Sequence, residues 1–253
     1  MNKVQIIILA GGQGKRMNSE CPKALLDLNG KAFIEHLLET VKESGFCDKP
    51  IIVVGAKSDQ MISALGDKYD YVFQKERLGT GHAVLQTKTK IGNKAENVLV
   101  LYADQPNTSA KTIKSLIKTH TYSNSIITMT TTIVSDFKEW RNNFYCFGRI
   151  IRDEKGKIIK IIEKKDATQE QLQIKELNAA HLCFNTKWLW ENIEKINNNN
   201  AQNEYYLPEL IEIAFAQNKK ITTIVIDPKE ALGVNTPEHL ECIKNLCQIN
   251  EFK

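Results

Sequence analysis

The sequence lacks the patterns that would place it in a membrane or in an oxidising compartment. No apolar run among its 253 residues approaches the ~20 residues of a membrane span. The six cysteines contain no Cys-x-x-Cys pair, which in a chain of this size indicates reduced thiols used in packing. The apolar run at residues 4–9 is too short for a signal peptide. We therefore expect a cytoplasmic protein that does not contact a membrane.

The charge and composition of the chain are also unremarkable. Apolar residues make up 42% and charged residues 25% of the sequence, as in ordinary globular proteins. The formal net charge is +4, and no long Lys/Arg run with interleaved aromatic residues supports nucleic acid binding. The sequence contains no repeat and no linker, so we predict a single domain over 1–253. Its core should span about 1–228, followed by a turn and a terminal helix.

The most informative stretch is residues 9–17, which follow an apolar run rich in β-branched residues that predicts a buried parallel strand. Three glycines within four positions allow a sharp turn and close approach of the backbone to a ligand. Successive amide groups in such a turn form an electropositive nest for phosphate oxygens. Lys15, Arg16 and Lys23 add formal charge beside it. The pattern predicts a polyphosphate-binding loop.

Two familiar phosphate loops do not fit this stretch. A Walker A loop has a glycine five positions before its Gly-Lys pair and a Ser or Thr after it, where Leu9 and Arg16 stand here. The dinucleotide fingerprint requires a third glycine where Met17 stands. The remaining alternative is a glycine-rich turn without a ligand. Arg16 and the Pro22-Lys23 pair favour phosphate binding over that alternative.

Two more stretches are predicted to meet this loop at one edge of a sheet. Residues 78–84, Leu-Gly-Thr-Gly-His-Ala-Val, follow a predicted strand and open a helix whose first N–H groups point outward. Asp104 follows the apolar run 97–103. In open parallel sheets ligands bind at the carboxyl ends of the strands, so we interpret Asp104 as a metal carboxylate rather than a helix cap. His82 is expected to form a hydrogen bond within its turn and not to act as a base.

Short apolar runs typical of strands alternate along the chain with stretches of helical periodicity, which predicts an α/β fold. In this fold, helices cover both faces of a mostly parallel mixed sheet in a Rossmann-like, three-layer arrangement. Helices are expected over residues 32–44, 58–65, 109–120 and 207–217 and from residue 237. Further strands are expected over residues 50–55, 69–74, 125–134, 177–184 and 221–226. A hairpin should join 146–153 to 157–164, and 23–30 should be extended.

Four later motifs complete a recognisable series. They are Phe-Gly-Arg-Ile at 147–150, Glu-Lys-Lys-Asp-Ala-Thr at 163–168, Asn-Asn-Asn-Ala-Gln with Glu-Tyr-Tyr between 198 and 206, and Gly-Val-Asn at 233–235. With the two glycine turns and 102–104, this order resembles the sugar-nucleotide nucleotidyltransferase superfamily. Within it, the series resembles more particularly the uridylyltransferase part of the N-acetylglucosamine-1-phosphate uridylyltransferases. The resemblance implies a nucleotide-diphospho-sugar transferase type of fold and covers nearly the whole chain. No left-handed β-helix acetyltransferase domain is expected.

The resemblance also implies an activity and a set of site residues. The activity is Mg²⁺-dependent transfer of UMP from UTP to a sugar-1-phosphate, with N-acetylglucosamine-1-phosphate favoured, giving UDP-N-acetylglucosamine and pyrophosphate. Arg16 and Lys23 should bind the triphosphate and the transferring phosphoryl group, and Asp104 and Asn235 should ligate the metal. The residues assigned to uracil and ribose are Ala10, Gly11, Gly12, Gln74, Gly79 and Thr80, and those assigned to the sugar are Gly148, Glu163, Asn178 and Tyr206.

The sequence departs from the family pattern around the inferred sugar pocket. Ala179-Ala180 stands where the family has Thr-Gly, Asn203 replaces a glycine and Pro208 replaces a threonine. Arg77 replaces a glutamine and Ala103 a glycine. A methyl in place of a glycine hydrogen is expected to crowd a sugar substituent, an effect worth roughly 1–3 kcal/mol. The alternatives left open are another sugar-1-phosphate, a molybdenum-cofactor pterin, and a non-catalytic module that binds a nucleotide sugar.

Overall fold

The computed structural model describes residues 3–12, 14–17 and 19–250. Gln13, within the predicted phosphate loop, lies outside the described residues, as does the side chain of Lys15. The described residues form eleven strands: β1 Val4–Leu9, β2 Asp27–Leu28, β3 Lys31–Ala32, β4 Ile51–Val54, β5 Asp70–Phe73, β6 Asn97–Tyr102, β7 Ile127–Ile133, β8 Arg149–Arg152, β9 Ile158–Ile162, β10 Glu176–Asn185 and β11 Ile221–Val225.

The same described residues form nine α-helices, seven of them between these strands and two after β11. They are α1 Phe33–Ser44, α2 Ser58–Leu65, α3 Thr80–Leu85, α4 Lys88–Ile91, α5 Ala110–Ser123, α6 Thr186–Asn192, α7 Leu210–Ala216, α8 Pro228–Ala231 and α9 Pro237–Asn250. None of the helices described for this chain combines the length and the apolar character needed to cross a bilayer.

The main sheet is mixed and mostly parallel. Its path runs β11-β7-β10-β6-β1-β4-β5, with β8 paired to β10 and β9 paired to β8. β1 pairs in parallel with β4 and β6, whereas β10 runs antiparallel to both β6 and β7. The predicted Rossmann-like α/β class is therefore confirmed.

β1 lies at the centre because both of its faces are apolar. Ile6 and Ile8 pack into one core cluster with residues of α1, α2 and α5, while Ile7 packs into a second cluster with residues of α3, α6 and α7. All three side chains are fully buried. Alternate residues of one strand thus bind two helical layers to the sheet, and this requires the continuous apolar run seen in the sequence.

Two of the predicted elements are wrong in part. Residues 23–30 are not extended throughout, because Lys23–Leu25 forms a 3-10 turn after Pro22, whose φ of −52° suits a helical start. Only β2 and β3 pair there, as a short hairpin. The strand predicted from 146 begins at Arg149, because Glu139–Cys146 forms a 3-10 helix. Phe144 in that helix is fully buried and packs against Phe147 with ring centroids 4.9 Å apart, which stabilises the helical turn.

Ala180 has a backbone conformation that alanine rarely adopts. Its φ is +74°, and it lies in the irregular part of β10 between Asn178 and Leu182. Asn203, a second position at which a family glycine is replaced, also has positive φ, at +54°. Asparagine tolerates this region because its side chain forms local hydrogen bonds, whereas alanine has no such compensation. The family glycines at positions 180 and 203 are thus explained by backbone geometry, and Ala180 is strained.

We predict that Ala180→Gly stabilises the protein by about 1 kcal/mol, because glycine removes the steric cost of positive φ and this exceeds its greater entropy in the unfolded chain. Urea denaturation of wild type and variant measures the difference. Ala179→Gly is the matched control and should be destabilising, since Ala179 is fully buried and does not have positive φ. An Ala180→Gly variant no more stable than wild type would contradict the strain.

Candidate functional site

A cavity of about 240 Å³ opens at the carboxyl ends of β1 and β6. The walls come from the loop after β1, from the glycine turn before α3 and from the end of β6. All six residues assigned to uracil and ribose line it, and so do Lys23 and Asp104. The convergence predicted from the ends of the strands is therefore present in the structure.

The loop after β1 is held close to Lys23 and to the second glycine turn. Gly14 has φ +64°, and a Cβ there would lie 3.2 Å from the Cβ of Lys23. The guanidinium of Arg77 donates a hydrogen bond to the carbonyl of Gly11. Arg77 is one of the departures from the family pattern, and it joins the two glycine turns across the mouth of the cavity.

Gly79 is required by the close approach of another segment. Its φ is +106°, and a Cβ at this position would lie 2.6 Å from the carbonyl oxygen of Tyr205. The Tyr205 N–H donates to the carbonyl of Leu78 at 2.7 Å, and the Gly81 N–H donates to the carbonyl of Tyr205 at 2.8 Å. The prediction that this turn presents its N–H groups outward is therefore wrong for Gly81, because the chain itself accepts that hydrogen bond.

The hydroxyl of Thr80 also forms a hydrogen bond with the chain segment that follows Tyr205. It accepts a hydrogen bond from the Leu207 N–H at 3.0 Å. The phenol of Tyr102 is also hydrogen-bonded to Thr80, and burial raises the pKa of Tyr102 above its ordinary range. Thr80 therefore connects the end of β6 to the segment that carries Tyr206.

Asp104 and Asn235 converge on a single cation. The ammonium of Lys23 donates to Oδ2 of Asp104 and, at 2.7 Å, to Oδ1 of Asn235. Lys23 is only 8% exposed. Nη2 of Arg16 lies 3.4 Å from the same Asn235 oxygen. Because one ammonium contacts both oxygens, the pair can also contact one metal ion, and carboxylate and amide oxygens are the ligands that Mg²⁺ prefers.

The structure contains no richer metal site in the part of the chain that it describes. No group of three or more His, Cys, Asp or Glu residues there could hold an ion. A site with two protein oxygens suits Mg²⁺, which usually retains several of its water ligands. Asp104 and Asn235 therefore fit the metal that the sequence implies.

The turn that carries Asn235 is fixed to Asp104 by the backbone and by Gln105. The Val234 N–H donates to the Asp104 carbonyl at 2.8 Å. The Gln105 amide nitrogen donates to the carbonyls of Ala231 and Ala179, at 2.8 and 3.1 Å. Gln105 is 4% exposed. Sequence reasoning did not identify it, although a long polar residue next to a predicted metal ligand is a signal that could have been followed.

The residues assigned to the sugar form a second group beside the cavity. The Asn178 N–H donates to the Gly148 carbonyl at 2.9 Å, and a Cβ on Gly148 would lie 3.0 Å from Oε1 of Glu163. The hydroxyl of Tyr206 accepts a hydrogen bond from Gln202. Charges on Glu163 and on Asp104 both act on the phenol of Tyr102. The phenol of Tyr102 is therefore within electrostatic range of one residue of the metal-ligand pair and of one residue assigned to the sugar.

Glu163 has an unusual electrostatic environment. Burial of its carboxyl and, to a lesser extent, the nearby charge of Asp166 raise the pKa to about 7, against the opposing effect of Arg149. Arg149 is fully buried, and its guanidinium donates to the carbonyls of Tyr145 and Leu172 at 3.0 and 3.2 Å. The guanidinium also lies over the Phe137 ring, 5.1 Å from the centroid.

The raised pKa of Glu163 predicts a specific dependence of stability on pH. The carboxyl titrates near 4.5 when unfolded and near 7 when folded, so stability is lost as pH rises through this window. Glu163→Gln removes this loss of stability. The melting temperature of the variant minus that of wild type should therefore be a few degrees larger at about pH 8 than at about pH 5. Exposed Glu154→Gln is the control. The same difference at both pH values would show that Glu163 titrates normally.

Comparison with known proteins agrees with this geometry. Residues 6–169 match the family described as "MobA-like NTP transferase domain". The chain is 38% identical over 236 residues to the "Bifunctional protein GlmU" of Acetivibrio thermocellus, covering 93% of this chain and 50% of that protein. It is 41% identical over 231 residues to the protein of the same name from Clostridium kluyveri, covering 91% of this chain and 49% of that one. The chain thus spans about half the length of these curated relatives.

Two solved structures share the fold. A UDP-glucose pyrophosphorylase complexed with UDP-glucose superposes with a TM-score of 0.77 at 17% identity, covering 99% of this chain and 100% of that one. A putative glucose-1-phosphate thymidylyltransferase from Bacillus anthracis, in complex with a sucrose, gives a TM-score of 0.72 at 17% identity and covers 97% and 95% of the two chains. The nucleotidyltransferase expected from the sequence is confirmed, and the chain belongs to the family of MobA-like NTP transferase domains.

Proposed function

We propose that this protein transfers UMP from UTP to a sugar-1-phosphate in a Mg²⁺-dependent reaction that releases pyrophosphate, and that the acceptor is N-acetylglucosamine-1-phosphate. The observation that carries the proposal is the convergence of Asp104 and Asn235 on the Lys23 ammonium at the edge of the glycine-lined cavity. Identity of 38% over 93% of the chain with the Acetivibrio thermocellus protein supports it.

The reaction needs charge neutralisation more than it needs a protein nucleophile. An oxygen of the sugar-1-phosphate attacks the α-phosphorus of UTP, and pyrophosphate leaves from the opposite side. Both reactants are anions, so the protein must bring them together and offset their repulsion. No covalent intermediate and no catalytic Ser, Cys or His is part of the proposal.

The cations of the site are suited to these tasks. The guanidinium of Arg16 is exposed and can bind two phosphate oxygens at once, whereas the buried ammonium of Lys23 is a compact point charge for the transferring phosphoryl group. Asp104 and Asn235 would hold Mg²⁺. When bound, this ion would neutralise phosphate charge and stabilise the leaving pyrophosphate.

The acceptor side is proposed from Gly148, Glu163, Asn178 and Tyr206: Gly148 contacts both Asn178 and Glu163, and Glu163 and Tyr206 line one cavity. A carboxyl, an amide and a phenol are groups that hydrogen-bond sugar hydroxyls. Ala180 is next to Asn178, and its N–H donates to the Asn178 side-chain oxygen at 2.9 Å. The strained position is thus adjacent to one proposed sugar ligand, which keeps a different sugar-1-phosphate as the second candidate acceptor.

We predict that Asp104→Ala lowers the rate of pyrophosphate release with Mg²⁺ by at least ~10²-fold, the scale of losing one preorganised electrostatic group. Exposed Asp67→Ala is the matched control and should keep the wild-type rate. A coupled assay of pyrophosphate measures both variants. Near-normal turnover of Asp104→Ala would remove Asp104 from the metal site.

The choice of acceptor is tested with a panel of sugar-1-phosphates and with UTP, CTP and GTP. We expect the highest rate with UTP and N-acetylglucosamine-1-phosphate, and a higher rate for this pair after Ala179-Ala180 is changed to Thr-Gly, because the methyl of Ala180 no longer crowds the sugar. An unchanged rate would refute crowding. Nucleotide-sugar binding without pyrophosphate release for any pair would instead identify a non-catalytic binding module.

A further inference from the structure

The side-chain amide of Gln74 has a fixed orientation in the wall of the cavity. Gln74 is 7% exposed. Its Nε2 lies 3.1 Å from the carbonyl oxygen of Gly79 and 3.0 Å from Nδ1 of His82. A carbonyl oxygen accepts hydrogen bonds and cannot donate them, so the Gln74 atom facing Gly79 must be the NH₂ group. Both hydrogens of this NH₂ group are then used within the protein.

This orientation leaves Oε1 of Gln74 as the group available to a ligand. Oε1 lies on the side of Gly11, where a Cβ would approach it to 3.6 Å, and Gly11 lines the same cavity. Among the described residues, no donor forms a hydrogen bond to this oxygen. The cavity wall therefore presents a hydrogen-bond acceptor that cannot become a donor without breaking the contact with Gly79.

An acceptor at this place distinguishes between pyrimidine bases. Uracil and thymine carry a hydrogen on N3 and can donate it, whereas N3 of cytosine is a bare acceptor. Two acceptors facing each other repel, and the unpaired groups lose their hydrogen bonds to water, which is the basis of strong discrimination in buried polar sites. Gln74 can therefore select against cytosine only while its amide is held in the observed orientation.

His82 is the side chain that holds this amide. Its Nδ1 accepts from Gln74, which leaves the ring hydrogen on Nε2, and Nε2 lies 3.0 Å from the side-chain amide of Gln86 one helical turn further on. The ring is half-buried, beside a mostly apolar cavity of about 260 Å³ lined by Leu78, Leu85, Ile193 and Ile196. The residues that line the cavity of Lys23 and Asp104 include Gln74 but not His82, so His82 acts on that cavity through its contact with Gln74.

We propose that His82 is a positioning residue that sets the base preference of the site, by fixing the Gln74 amide so that its oxygen receives the N3–H of uracil or thymine. The inference rests on the proposed nucleotidyl transfer, since the base must lie against Gln74. It adds a structural cause for the selectivity between pyrimidine bases. It also gives a role to His82, for which the sequence predicted only a hydrogen bond within its turn.

The test compares kcat/KM for UTP and CTP in wild type, His82→Phe and His82→Asn, with one sugar-1-phosphate at saturation. Phenylalanine keeps the ring volume against the apolar cavity but removes the acceptor, so the preference for UTP over CTP should fall roughly tenfold, mainly through KM for UTP. Asparagine places an oxygen near the position of Nδ1 and should restore most of the preference. KM for the sugar-1-phosphate should not change in either variant.

A second histidine provides the matched control. His36 is also half-buried on a helix, and its Nε2 bonds to the carbonyl of Leu28 at 2.8 Å, away from the cavity. His36→Leu should leave the ratio of UTP to CTP unchanged, even where it lowers the melting temperature. A His82→Phe protein that melts cooperatively and keeps the wild-type ratio would overturn the proposal.

Binding measurements separate this inference from the proposed function. Calorimetric dissociation constants of UMP and CMP report the base preference without turnover, and they should converge in His82→Phe and diverge again in His82→Asn. If wild type binds UMP but releases no pyrophosphate from any pair of substrates, the proposed transfer fails and the binding ratios still test His82. If wild type turns over and the ratios are the same in all variants, only the role of His82 fails.

Discussion

The site depends on one buried cation. The Lys23 ammonium lies where only a tenth of its side chain is exposed, and a buried charge without partners would cost several kcal/mol. Asp104 and Asn235 supply the partners. These residues are far apart in the sequence, so this single interaction joins the loop after β1, the end of β6 and the turn before α9. A metal ion would meet the same two oxygens.

The second constraint is the close contact of two chain segments at Gly79. Because the Tyr205 backbone lies against this glycine, the segment bearing Tyr206 is fixed across the turn that opens α3. Thr80 and Tyr102 extend the contact toward Glu163 and Asp104. Hydrogen bonds and packing thus connect the nucleotide side of the site to the acceptor side. Gln105 stabilises the turn that carries Asn235, because its amide donates to the carbonyls of Ala179 and Ala231.

Sequence patterns predicted most of this arrangement because its main causes are local. The apolar run of β1, the glycines and the position of Asp104 after β6 place the loop, the turn and the carboxylate at one edge. The positive φ of Ala180 depends on the irregular register of β10, which no local pattern records. The amide orientation of Gln74 depends on hydrogen bonds across the glycine turn, and the raised pKa of Glu163 depends mainly on its burial, and a sequence pattern shows neither.

The most direct test of the account is the anomalous scattering of Mn²⁺ in crystals of the protein grown with a non-hydrolysable UTP analogue. We expect one Mn²⁺ peak between Oδ2 of Asp104 and Oδ1 of Asn235, with the Lys23 ammonium moved from these oxygens to a phosphate. The uracil should lie against Gln74. Mn²⁺ bound elsewhere, with Lys23 still bridging Asp104 and Asn235, would show that these two residues are not the metal ligands.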